Sequence, residues 1–123
     1  MAKRILIIDD EPDLLKVTAK RLEASGYEVV TALDYEEAYH LMIERVPDLI
    51  LLDVVMPGKD GYEACNELKS AADTRNVPII LFTAQPDQRE RLKKNAKFIA
   101  ADDYIMKPFD DDVLLEKIKR FIG

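Results

Sequence analysis

Short apolar runs alternate with amphipathic stretches along the whole chain. Ile5-Leu6-Ile7-Ile8 has no polar interruption, the pattern of a strand covered on both faces. From 12 to 25, Leu15, Ala19 and Leu22 fall on one helical face, with Pro12 suited to a first turn and Gly26 to the position just past the end. Residues 27–31 predict a second strand. Asp34 and Glu37 then have the spacing of a capping box, opening a helix whose buried stripe is Ala38, Leu41 and Met42 and which Pro47 closes. Leu49 to Leu52 predicts a third strand running straight into Asp53, followed by the turn segment MPGKDG. A helix over about 61–72, a strand over 77–82, a polar helix over about 86–97 and a short strand over 102–106 follow. The last helix starts near Asp111, with Leu114, Ile118, Phe121 and Ile122 inward and with Phe109 and Leu114 placed as a hydrophobic staple around Asp110.

Five strand–helix units in succession predict an α/β fold, a five-stranded parallel sheet with helices on both faces, in one domain spanning 1–123. In such doubly wound sheets, ligands sit at the carboxyl ends of the strands. The residues just past those ends are Asp9, Asp10 and Glu11 after the first strand, Asp53 after the third, Thr83 and Ala84 after the fourth, and Lys107 and Pro108 after the fifth. Each alone has an ordinary explanation as a helix cap, a turn hydroxyl or a solvated lysine. Capping does not explain why all of them fall on one edge.

Carboxylates crowded into one pocket repel and call for a cation. Oxygen donors without His or Cys select a hard ion, which points to Mg²⁺. A lysine and a hydroxyl aimed at the same place then describe a site for a phosphoryl group, and a carboxylate within it can be the nucleophile that forms an aspartyl phosphate. The GxxxxGK[ST] loop is missing, which argues against a bound nucleotide.

Charge and cysteine content narrow the classes further. The net charge of −6 disfavours binding driven by phosphate neutralisation, so no direct nucleic-acid partner is expected. A single cysteine, Cys65, rules out an intrachain disulfide and a zinc site built on several thiolates. The apolar run in MAKRILII stops at Asp9, too short for a secretory signal, and Leu49–Leu52 is far below a membrane span. A cytoplasmic location with no membrane partner is the expectation.

The segments ILIIDDEPDLL, PDLILLDVVMPGKDGYE, VPIILFTA and AADDYIMKPF, in that order, resemble the receiver domain of two-component response regulators, from Lys3 to about Ile122. The resemblance implies a flavodoxin-like sheet of strand order 2-1-3-4-5 and a phosphorylation-dependent switch, not an enzyme in the usual sense, that promotes its own phosphorylation and slow autodephosphorylation. It implies that Asp53 is the phospho-acceptor. Asp10, Asp53 and the backbone carbonyl of Val55 would bind Mg²⁺ directly, and Asp9 through water. Thr83 and Lys107 would contact the phosphoryl oxygens, as would the backbone amides of Val55 and Ala84. Tyr104 would be the aromatic switch that follows Thr83 inward, and the Lys107–Pro108 bond would be cis. The implied partners are a sensor histidine kinase or phosphotransfer protein and a downstream protein effector, met through the 86–97 helix, the fifth strand and the last helix. Ala101 departs from the frequent pattern, standing where a glycine is common.

The expectation is a stand-alone receiver, with a receiver excised from a larger regulator, DNA-binding or not, as the alternative. An Mg²⁺-dependent aspartyl-phosphate phosphohydrolase would need a second acid two residues after the nucleophile, where Val55 stands. A pseudo-receiver would lack some of the five key side chains, all of which are present. His40 reads as a surface residue and Cys65 as a half-buried filler. The basic cluster Arg89, Arg91, Lys93, Lys94 and Lys97 reads first as a solvated face and second as a partner surface.

Overall fold

A computed structural model gives the fold and describes residues 2–54, 61–83, 101–107 and 109–123. Five parallel strands form one sheet: β1 (Arg4–Ile8), β2 (Glu28–Ala32), β3 (Leu49–Asp53), β4 (Ile79–Thr83) and β5 (Asp103–Met106). Their order is β2-β1-β3-β4-β5, the order that the resemblance implies. Four helices are described: α1 (Pro12–Ala24), α2 (Tyr35–Glu44), α3 (Gly61–Ser70) and α4 (Asp111–Ile122). The helix expected over 86–97 lies outside the described residues. No helix among the described residues is long and apolar enough to cross a membrane.

The period of two along each strand divides the core into two layers. Leu6, Ile8, Ile50, Leu52, Ile79 and Leu81 face α2 and α3, packing with Ala38, Met42, Ala64, Cys65 and Leu68. Ile5, Ile7, Leu49, Leu51, Ile80 and Phe82 face α1 and α4, packing with Leu15, Leu22, Leu114 and Ile118. Each central strand therefore has to be apolar at every position, which is why β1 and β3 read as unbroken apolar runs. The register pairs Ile8 with Leu52 and Asp53 with Phe82, so β1, β3 and β4 end nearly level. The residues that follow them share one edge.

Helix ends follow local chemistry. The Asp34 carboxylate accepts the Glu37 N–H at 2.8 Å, capping α2, but Glu37 reaches back to the N–H of Leu33 at 3.4 Å instead of that of Asp34. Gly26 adopts φ +99, the left-handed turn that ends α1 and admits Tyr27 to the core. β2 accordingly begins at Glu28, one residue later than the pattern suggests. Thr18, not Ala19, completes the fully buried stripe of α1. Phe121 departs from expectation: Leu114, Ile118 and Ile122 recur every four residues, which rotates Phe121 off the buried face and leaves it 36% exposed. Cys65 is fully buried, not half-buried, and burial pushes its thiol up to about 11 despite the nearby Lys69 ammonium.

Candidate functional site

Asp9 extends β1 by one residue, its N–H bonding the carbonyl of Ala32 at 3.1 Å. It is fully buried, and both carboxylate oxygens are engaged. One accepts the N–H of Glu11 at 3.0 Å, and the other accepts the Lys107 ammonium at 2.7 Å. A buried carboxylate survives only with such partners. Asp10 follows on the solvent side and is exposed.

Asp53 closes β3 and is only 5% exposed. The next residue, Val54, is pinned at both its backbone groups: its N–H donates to Phe82 O at 3.1 Å, and its carbonyl accepts the Gly61 N–H at 2.8 Å. Gly61 has to be glycine. A Cβ there would meet the Asp53 carbonyl oxygen and lie 2.6 Å from the Val54 Cα. Helix α3 thus begins in direct backbone contact with the end of β3. One ligand atom from each of Asp9, Asp10 and Asp53 lies within 4.8 Å of the others.

Lys107 follows β5 and crosses to this cluster, with its Nζ also 3.6 Å from Asp53 and 3.6 Å from Glu11. Its stem passes Phe82, whose ring centroid is 5.7 Å from Nζ and which stacks on Phe109 at 5.2 Å. Burial alone would pull the Lys107 pKa down. The hydrogen bond to Asp9 and the charges of Asp53, Asp9 and Glu11 outweigh it and hold the group above its ordinary 10.5. The lysine is therefore a fixed ammonium near neutral pH, aimed into a pocket of carboxylates.

Of the residues singled out by sequence, Asp9, Asp10, Asp53 and Lys107 are brought together. Thr83 closes β4 opposite Met106, on the same edge. Val55, Ala84 and Pro108, and with them the proposed carbonyl ligand, amide contacts and cis bond, lie outside the described residues. Tyr104 is 37% exposed on β5, its N–H donating to Asp103 Oδ1 at 2.8 Å. Two residues do more here than the sequence suggested, where Glu11 was one acid past the first strand and Phe109 a helix staple. Glu11 reaches Lys107, and Phe109 stacks on the Phe82 ring that lies under the lysine ammonium. The sequence signal for Glu11 was a glutamate at a helix N-cap, a position that favours Asp, Asn, Ser or Thr.

A parallel sheet with an acidic pocket and a partly buried lysine at its carboxyl edge is the layout of a doubly wound α/β protein, whose ligand sites lie at the strand ends. Comparison with known proteins narrows this. The family described as "Response regulator receiver domain" matches residues 5–119, and the chain belongs to that family. It is 41% identical over 117 residues to a probable transcriptional regulator ycf27 of Guillardia theta, covering 95% of this chain and 44% of that protein. It is 38% identical over 122 residues to the phosphate regulon transcriptional regulatory protein PhoB of Rhizobium meliloti, covering 99% and 53%. The chain thus spans about half the length of the curated relatives it matches. Among solved structures, the response regulator TrrA of Thermotoga maritima, in complex with Mg²⁺–BeF, superposes with a TM-score of 0.84 at 38% identity, covering 98% of this chain and 99% of that one. The chain is a response regulator receiver domain with a phosphoryl-accepting role in two-component signalling.

Proposed function

We propose that Asp53 is the acceptor. A carboxylate oxygen of Asp53 attacks phosphorus, the bond from phosphorus to a phosphohistidine nitrogen of a histidine kinase or phosphotransfer protein breaks, and the imidazole leaves with a proton from solvent. The observation that carries this reading is the convergence of Asp9, Asp10 and Asp53 with the Lys107 ammonium 3.6 Å from Asp53. Asp53 closes β3 just before Val54, whose N–H and carbonyl are both bonded to neighbouring backbone, which holds the strand end in place for attack. Lys107 can pass from Asp9 to a new phosphoryl oxygen with little movement, since it already lies between the two carboxylates. Thr83, with the amides of Val55 and Ala84, would complete the contacts to that group.

The donor set fits a divalent cation: three carboxylates, oxygen only, one of them open to solvent. Asp10, Asp53 and the Val55 carbonyl would hold Mg²⁺, with Asp9 acting through water. When bound, the ion supplies positive charge against the negative charge that gathers on the transferring oxygens. The Thermotoga relative, solved in complex with Mg²⁺–BeF, supports Mg²⁺ as the cation.

Phosphorylation would bias Thr83 and Tyr104 towards an altered surface of the 86–97 segment, β5 and α4, read by a protein effector in the cytoplasm, and slow autodephosphorylation would reset the switch. The relatives named as transcriptional regulators are about twice as long, which favours a second reading in which this chain is the receiver portion of a DNA-binding regulator. Incubation with Mg²⁺ and acetyl phosphate should add one phosphoryl group to the wild type and none to Asp53→Asn. Equal labelling of the two would overturn the assignment.

A further inference from the structure

Glu11 stands at the N-cap of α1 and makes no side-chain cap hydrogen bond. Its backbone N–H is tied to Asp9, and its carboxylate lies 3.6 Å from the Lys107 ammonium at the open side of the pocket. Lys107 is thus shared among Asp9 at 2.7 Å, Glu11 at 3.6 Å and Asp53 at 3.6 Å. A phosphoryl group on Asp53 would take that ammonium away from the first two. Any carboxylate that holds it in the unphosphorylated domain therefore opposes the transfer.

We propose that Glu11 is a positioning residue for Lys107, a latch at the pocket mouth that keeps the ammonium on the Asp9 side until a phosphoryl oxygen competes for it. This inference rests on the Asp53 reading above and adds a residue that sets how readily that site is occupied. An ion pair with one partner 64% exposed contributes up to about 1 kcal/mol, equivalent to roughly a fivefold change in an equilibrium. Glu11 is therefore a tuning device and not an essential group.

The test compares Glu11→Gln with Asp13→Asn, which removes the same charge from the first turn of α1, where Asp13 stands, without touching Lys107. At saturating Mg²⁺, Glu11→Gln should bind beryllofluoride about two- to fivefold more tightly than wild type, and Asp13→Asn should bind it as wild type does. In the metal-free protein, the ¹³C shift of the Lys107 ε-methylene should move in Glu11→Gln and stay in Asp13→Asn. The gain should vanish when Lys107 is replaced by Met. Equal gains in both charge variants, or an unmoved Lys107 signal in Glu11→Gln, would overturn the latch while leaving Asp53 intact. A wild type that takes no beryllofluoride would instead overturn the reading on which it rests.

Discussion

Replacing Lys107 with Met tests the pocket's electrostatics without any ligand. The side chain is 12% exposed and donates at 2.7 Å to Asp9, which is fully buried. Removing one member of a buried pair leaves an uncompensated charge and costs about 3–5 kcal/mol. The pocket is open at Asp10, so the lower end applies, about 3 kcal/mol, or a fall in Tm of roughly 12 °C for a chain of this size. Adding Asp9→Asn should then recover about 2 kcal/mol, because the orphaned charge is gone. The pH dependence has a definite sign. The Lys107 pKa lies above 10.5 in the folded state, so the stability it supplies is complete below 10.5 and is lost as pH rises through the folded value. Wild type and Lys107→Met should therefore differ most near pH 8 and converge at strongly alkaline pH. Urea unfolding followed by circular dichroism, without Mg²⁺, reads all of this. A single-variant cost below about 1 kcal/mol, or strictly additive substitutions, would mean that Lys107 does not neutralise Asp9.

Asp10→Asn should relieve repulsion in the metal-free pocket and raise stability by about 1 kcal/mol, while weakening Mg²⁺ binding; unchanged affinity in a calorimetric titration would remove Asp10 from the ligand set. Gly61→Ala should destabilise by about 1–3 kcal/mol and shift the Asp53 amide resonance, since the new methyl meets the end of β3. Cys65 should resist a thiol reagent at pH 8 in the folded state and react only in denaturant, because burial holds the thiol pKa at about 11. Beryllofluoride with Mg²⁺ should perturb backbone amides most around 85–97 and 104–109 and least along α1; uniform perturbation would place the output surface elsewhere.

The two-sided burial of β1 and β3 was legible because a strand covered on both faces has to be apolar throughout, and the chain writes this as Ile5–Ile8 and Leu49–Leu52. Strand order was legible only through the family resemblance, since periodicity does not say which strand is central. Phe121 was misplaced because a helix of twelve residues offers several faces, and only the packing of Leu114, Ile118 and Ile122 chooses among them. In the site, the acids and the lysine were readable as residues past strand ends. That Asp9 is fully buried and bonded to Lys107 was not, because it depends on β5 delivering a side chain 98 residues away in the chain. Glu11 was visible in the DDE triplet but indistinguishable from a solvated first-turn acid until its distance to Lys107 was known. Gly61 read as a turn residue, whereas its necessity comes from the backbone of β3 beside it.

The assignment of the phosphoryl group to Asp53, among three converging carboxylates, has a direct chemical test. Phosphorylate the protein with acetyl phosphate and Mg²⁺, reduce the acyl phosphate with borohydride, and locate the resulting homoserine by peptide mass spectrometry. Homoserine is expected at position 53 alone, with Asp9 and Asp10 recovered unchanged. Homoserine at 9 or 10, or at none of the three, would contradict the assignment.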